Sequence, residues 1–240
     1  MKAKRSQLYF GRNILREAVA ARASLSTLYV ETRAAYVFAE KTLGNGISHS
    51  NLKIEEGIPA ELKNEAHQGI AFRTNHDFYS PFDINAAAKH RFIILCNHVE
   101  NIPNLGSIAR CAAAFGAGLI IHEDQRSASM TASAVKSSAG CAFRIQMMKV
   151  NSMLGVAHSL RQRSYSLVGL DISSKSIPLY SWKPKFPLAL VLGSEGDGIE
   201  TDLKELCDSL VNIPMEGGVE SLNVSHAAGI AMSWAASSRS

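Results

Sequence analysis

What this 240-residue chain lacks narrows its class first. Its four cysteines, Cys96, Cys111, Cys141 and Cys207, are scattered and none forms a C-x-x-C pair. That spacing suits neither a zinc site nor a disulfide scaffold, so no metal is expected, and reduced thiols in a cytoplasmic protein are. The start, MKAKRSQLYFGRN, is basic but has no apolar stretch of the kind a signal peptide carries. No apolar run approaches the roughly 20 residues that span a bilayer, so no membrane partner is expected. Neither G-x-x-x-x-G-K-[ST] nor G-x-G-x-x-G is present, and internal repeats and low-complexity tracts are absent too. A net charge of +4 is compatible with a polyanionic partner but too mild to identify one. What is there is a folding composition, 46% hydrophobic and 19% charged, on a length that suits one large domain or two moderate ones.

Residues 1–74 read as a small α/β unit, with a helix over 13–21, a strand over 25–31, a helix over 34–43 and a turn at His67-Gln68-Gly69 entering another strand. Residues 75–89, polar and then alanine-rich, read as a linker. From residue 90 onward strands and helices alternate, which predicts a mostly parallel sheet covered on both faces. Strands are expected at 92–96, 119–122, 144–147, 166–170, 188–192 and 210–213. Helices are expected at 105–115, 132–138, 152–163, 201–207 and 224–236.

Ligands of parallel sheets gather at the loops beyond the carboxyl ends of strands, and three such loops are chemically loaded. The first runs NHVENIPNLGSIAR, with Asn104 where a helix should begin and Arg110 nearly two turns on, the two projecting in broadly similar directions. The second, Gly193-Ser194-Glu195-Gly196-Asp197-Gly198, lets a ligand approach backbone, while its acidic residues disfavour phosphate. The third, Ile213 to Ile230, is a proline-ended strand, a Gly217-Gly218 turn and a helix start crowded by Ser221, Asn223 and Ser225. Each has a plainer reading: a surface arginine, a tight turn, a helix cap.

In this order and spacing, Asn104-Leu105-Gly106 with Arg110, the G-S-E-G-x-G loop and I-P-M-x-G-x-V-x-S-L-N-V-S resemble the three motifs of the SpoU (TrmH-like) RNA ribose 2′-O-methyltransferases of the SPOUT class. Residues 7–71, with Tyr9-x-Gly11-Arg12-Asn13 and His67-Gln68-Gly69, are similar to that family's N-terminal domain. One departure is Pro103, which stands directly before Asn104, where many members place the proline one position earlier.

The resemblance implies an α/β catalytic domain with a deep trefoil knot over 90–240, preceded by a small α/β substrate-binding domain, and a homodimer. It implies S-adenosyl-L-methionine held by Gly193, Ile213 and Leu222, with Met215 and Leu192 completing an apolar slot for the adenine. It assigns Arg110 to the ribose hydroxyl, Asn104 and Glu195 to the same cluster, and Ser221 and Asn223 to the closing side. An arginine, with a pKa above about 12, is a poor base, so positioning of the hydroxyl and its phosphate is expected at least as much as proton removal. Lys2, Lys4, Arg5, Arg12, Arg16 and Arg22 would contact the phosphates of rRNA or tRNA. Two alternatives stand beside this reading: an RNA-binding module of the same fold with weak or lost catalysis, and an unrelated α/β enzyme that binds a nucleotide on the Gly193–Gly198 loop.

Overall fold

The computed structural model describes residues 6–44 and 52–238. In chain order the N-terminal unit comprises β1 (Gln7–Phe10), α1 (Arg12–Ala20), β2 (Leu25–Val30), α2 (Arg33–Leu43), β3 (Lys53–Glu56) and β4 (Ile70–Thr74). These strands form a four-stranded sheet in the order β1-β4-β2-β3. Strands β1 and β3 were not expected from sequence. Strand β3, KIEE, lies at the sheet edge and is largely exposed, so it carries no apolar alternation to read. The Gly44–Gly46 break and the basic residues Lys2, Lys4 and Arg5 fall, wholly or in part, outside the described residues.

Then follow β5 (Tyr79–Pro81), α3 (Ile84–Ala87), β6 (Phe92–Cys96), α4 (Ile102–Phe115), β7 (Leu119–Glu123), α5 (Ala132–Ser137), β8 (Gln146–Val150) and α6 (Met153–Arg161). The chain closes with β9 (Ser166–Leu170), β10 (Ile177–Pro178), β11 (Leu188–Leu192), α7 (Thr201–Leu206), β12 (Ser209–Asn212) and α8 (Val224–Ser237). All eight strands of this second sheet pair in parallel, in the order β10-β12-β9-β11-β6-β7-β8-β5. The segment read as a linker is therefore partly an edge strand: Tyr79–Pro81 pairs with Met147–Lys149, and the Tyr79 hydroxyl accepts from the Met130 amide at 2.5 Å. Proline and polar residues are tolerated at an edge, which is why this stretch resembles a linker in composition. Strand β8 starts at Gln146 rather than Arg144, because Cys141–Arg144 winds into a 3₁₀ turn first.

The central strands β6 (FIILC) and β11 (LALVL) are buried at every position, as expected of a parallel sheet covered on both faces. One apolar cluster lies under α4, α5 and α8 and continues into the N-terminal unit; the other lies under α3, α6 and α7. The continuation is specific. The Tyr9 ring stacks on Phe72 and meets Phe143 edge-on at 5.6 Å, and Phe143 also contacts His76 and Phe78, each at 5.0 Å. Above this aromatic cluster, Arg144 forks onto the Glu17 carboxylate and Lys136 pairs with Glu65 at 2.7 Å.

Close backbone approach tightens the other face of α4. A side chain at Gly106 would meet the Ala134 carbonyl oxygen at 2.3 Å, so α4 and α5 can touch only through glycine. The helix itself starts earlier than expected, because Asn101 rather than Asn104 caps it, its side chain accepting from the Asn104 amide at 3.2 Å. Pro103 then sits in the first turn, where a missing N–H costs nothing. The proline displacement that distinguishes this first motif is thus accommodated by the cap. Among the described residues, no helix is long and apolar enough to cross a membrane.

Candidate functional site

Strand order reverses on either side of β6, since β7 and β8 lie to one side and β11, β9 and β12 to the other. Crevices form beyond the carboxyl ends of strands at such a point. Here a cavity of about 510 Å³ opens beyond β9, β11 and β12. That volume falls within the roughly 300–1,000 Å³ of small-ligand sites. Its walls are the second and third loops together: Leu192 to Gly198 on one side, Val211 to Met215 and Ser221 to Val224 on the other. Leu170, Asp171 and Ile172, which follow β9, complete it.

Seven of the cofactor and catalytic residues expected from sequence therefore line one cavity with Glu195: Leu192, Gly193, Ile213, Met215, Ser221, Leu222 and Asn223. Asn104 joins from the first loop by donating its side-chain amide to Glu195 Oε1. Asn223 also fulfils its plainer reading, because its side-chain oxygen caps α8 by accepting from the Ser225 amide at 2.9 Å and the Ser225 hydroxyl at 2.7 Å. Capping and lining the cavity are compatible, since the cap orients the residue at the helix entrance.

Arg110 does not join them. It lies on α4 and is exposed, outside the cavity wall, whereas Asn104 on the same helix is buried. The expectation that the two project alike is corrected by helix geometry: at 3.6 residues per turn, six residues leave the side chains roughly 120° apart. Arg12, Arg16 and Arg22 stand apart from the cavity as well, on the N-terminal unit.

Gly193 is needed for a reason nearer home than ligand approach. A Cβ at this position would lie 2.2 Å from the carbonyl carbon of Gly198, inside the loop's own backbone. The loop closes on itself through Ser194, whose amide donates to the Gly198 carbonyl at 2.9 Å and whose hydroxyl accepts from the Asp197 amide at 3.0 Å.

Both ends of that loop are fastened by one residue that sequence reasoning missed. Asn97, fully buried just past β6, donates its amide to the Leu192 carbonyl at 2.8 Å, while its side-chain oxygen accepts from the Glu200 amide at 3.0 Å. Its side-chain nitrogen donates to Glu123 at 3.1 Å and to Glu200 at 3.3 Å. His98 turns Nε2 to Glu200 Oε1 at 2.9 Å, and its Nδ1 lies 3.3 Å from Glu123 Oε2. Hydrogen bonds from His98 and then Asn97 hold the Glu200 carboxyl below the usual range. Among the described residues His98, Glu123 and Glu200 gather closely enough for a cation, although both imidazole nitrogens already face carboxylates. The available signal was position alone: Asn97 and His98 directly follow a buried strand.

The electrostatics of the cavity are set by Asp171, Glu195 and Asp197 against Lys204, which pairs with Asp171 at 3.0 Å. A cationic ligand is favoured over a phosphate there. Asn212 Oδ1, a buried acceptor of a cavity residue, has no hydrogen-bond partner among the described residues, and a buried polar atom left alone calls for a ligand or water.

An α/β domain with a ligand cavity at the carboxyl ends of its strands, lined by backbone and acidic loops, defines the class. Residues 91–233 match the SpoU rRNA Methylase family, and the chain belongs to that family. It is 34% identical over 242 residues to an uncharacterized tRNA/rRNA methyltransferase of Mycolicibacterium paratuberculosis, covering 96% of this chain and 77% of that one. It is 33% identical over 195 residues to a putative TrmH family tRNA/rRNA methyltransferase of Staphylococcus saprophyticus, covering 78% of each. Among solved structures, the SpoU methyltransferase AviRb of Streptomyces viridochromogenes, crystallised with AdoMet, superposes with a TM-score of 0.79 at 23% identity, over 98% of this chain and 90% of that one. That likeness establishes the shared fold.

Proposed function

We propose that this protein transfers a methyl group from S-adenosylmethionine to a ribose 2′-hydroxyl of rRNA or tRNA. The observation that carries the proposal is the cavity itself, in which an apolar slot, Leu192, Ile213 and Leu222, adjoins a predominantly acidic lining. An adenine ring fits the slot, and a sulfonium with its α-ammonium fits the acidic lining, where the phosphates of ATP or NAD would be repelled. The orphan acceptor of Asn212 suits the same ligand, which carries N–H and O–H donors.

Leu192, Gly193, Ile213, Met215 and Leu222 would hold S-adenosylmethionine, which would supply an electrophilic methyl carbon with the sulfide as leaving group, the hydroxyl proton passing to solvent. The residues of this chain act by orientation, which alone can account for several kcal/mol of a barrier. Glu195, held by Asn104, fixes the cluster at the cavity mouth, and Asn223 and Ser221 close the opposite side. Arg110 positions the ribose hydroxyl and its phosphate from outside the cavity wall.

That placement favours action by a pair of chains. Helix α4 carries Arg110 beside Cys111 and Phe115, which with Tyr180, Ile230 and Trp234 line an apolar groove of about 730 Å³ against α8. A second copy seated on this face would make the proposed homodimer, with Arg110 at the edge of the interface rather than stranded on a surface. The trefoil knot belongs to the same proposal; the second and third loops and the start of α8, which the knotted segment would bring together, line one cavity.

The deciding experiment measures methyl transfer from labelled S-adenosylmethionine to RNA, alongside calorimetry with S-adenosylmethionine, ATP and NAD. Transfer to 2′-oxygens with selective S-adenosylmethionine binding is expected. Tight dinucleotide binding would instead favour the small-molecule enzyme, and cofactor binding without transfer the RNA-binding module. Arg110→Ala should lower turnover at least 100-fold with cofactor affinity within a few-fold, and an equal loss of cofactor affinity would contradict the division of labour.

A further inference from the structure

The N-terminal unit holds a second concavity, of about 550 Å³, between α1 and α2. Its lining is unusual in combining an apolar floor, Val19, Ala20 and Phe38, with a rim of three cations, Arg16, Arg22 and Lys41. No acidic residue lines it among the described residues. Glu17, the nearest carboxylate on α1, is turned to the other side and engaged by Arg144. Phe38 is half-buried, and the guanidinium groups of Arg12 and Arg16 lie over its ring at 5.2 and 5.7 Å. Each arginine is thereby held as a flat plate instead of a free chain.

We infer that this groove seats one unpaired nucleotide of the RNA, its base stacked against Phe38 and the plate of Arg16 over the Val19–Ala20 floor, and its phosphates on Arg22 and Lys41. The inference rests on the RNA reading above and gives that substrate a required feature, an unstacked base in reach of α2. Apolar floor and cationic rim together select this ligand. A purely phosphate-binding surface needs no apolar floor, and an A-form duplex keeps its base faces stacked inside, where the floor cannot touch them. A protein partner with acidic residues would satisfy the rim but not the ring, so it becomes an outcome of the test.

The test uses the full chain and fluorescence anisotropy with a labelled unstructured 12-nucleotide RNA and a blunt 16-base-pair RNA duplex. Single-stranded RNA should bind at least tenfold tighter than duplex. Phe38→Ala should erase most of that preference, weakening single-strand binding about tenfold, the size expected for one lost base stack, with duplex binding unchanged. Phe38→Leu keeps the helix packing and should show the same loss; circular dichroism and melting of both variants verify folding. Arg22→Gln should lower the salt dependence of single-strand binding by about 0.7 in the log–log slope. The proposal is overturned by single-strand affinity within twofold of wild type in both Phe38 variants, by equal affinity for duplex, or by displacement of the RNA by polyglutamate of equal charge. Methyl transfer separates the two levels. Intact transfer with unaltered binding in the Phe38 variants removes the groove alone, whereas absent transfer by a wild type that retains selective single-strand binding removes the catalytic reading alone.

Discussion

The strand-end cavity and the groove between α1 and α2 are similar in size and opposite in construction. The cavity is walled mostly by loops and backbone, with a glycine packed against a glycine and acidic side chains in the lining. The groove is walled by side chains from two helices and the turn after α1, and its charges are all positive. The difference teaches what each can tolerate. A backbone wall is specific because neighbouring strands fix it, so small changes in the loop should be severe. A side-chain wall can lose one member and retain part of its function.

The sharpest way to break this contrast is Gly193→Val. The added atoms collide with the Gly198 backbone, so S-adenosylmethionine affinity should fall by at least 100-fold in calorimetry, more than for any single change in the groove. Even Gly193→Ala should show most of the loss, because the first added carbon already lies 2.2 Å from a backbone atom. Affinity within threefold of wild type for the alanine variant would mean that the loop is as forgiving as the groove.

A second test probes the sheet on the far side of β6 from the cavity. His122, buried at the end of β7 against Tyr79, has its pKa pushed down to about 4 by loss of solvent, with a backbone hydrogen bond to Glu123 opposing. Because the folded value lies below the unfolded one, the unfolded chain binds the extra proton between pH 6.5 and 4. Stability should accordingly be intact above about pH 6.5 and decline as the pH falls to about 4, by on the order of 3 kcal/mol. Urea titrations of wild type and His122→Phe across that range check it; parallel curves would exclude His122 as the source.

Asn97→Ala should have the smallest effect of the three and the most local. It leaves the Glu200 amide without its partner and removes one donor from Glu123, which keeps the Met153 amide, so a loss of about 1–3 kcal/mol in denaturant stability is expected. Since the Asn97 side chain fastens the Glu200 end of the cavity loop, cofactor affinity should weaken along with stability, while binding of single-stranded RNA in the groove stays as it was. A stability loss with unchanged cofactor affinity would show the loop to be fixed by its own glycines and Ser194.

The cavity was the legible part of the molecule because most of its lining falls in two short loops, after Leu192 and after Ile213, where glycine and polar residues follow an apolar stretch. Strands β6, β7, β9 and β11 were legible for a related reason: runs such as Phe92–Cys96 are apolar throughout, and only a twice-covered strand reads so. Edge elements escaped. Tyr79–Pro81 passed for linker and Lys53–Glu56 drew no assignment because a strand paired on one side and half exposed needs no apolar pattern. Helix α4 misled in another way, since Asn104 meets Glu195 while Arg110, six residues on, does not share its direction.

By itself, the order of residues determined which loops carry the polar chemistry and which strands must be buried, since apolar runs and glycine spacing act locally and leave a mark in one dimension. Only tertiary structure decided that Asn104 meets Glu195 across 91 positions, that Asn97 fastens Glu200 across 103, and that Phe38 carries two arginines from another helix. Those contacts depend on how strands are ordered and helices crossed, and a side chain's partner from a distant segment leaves no trace in its own neighbourhood.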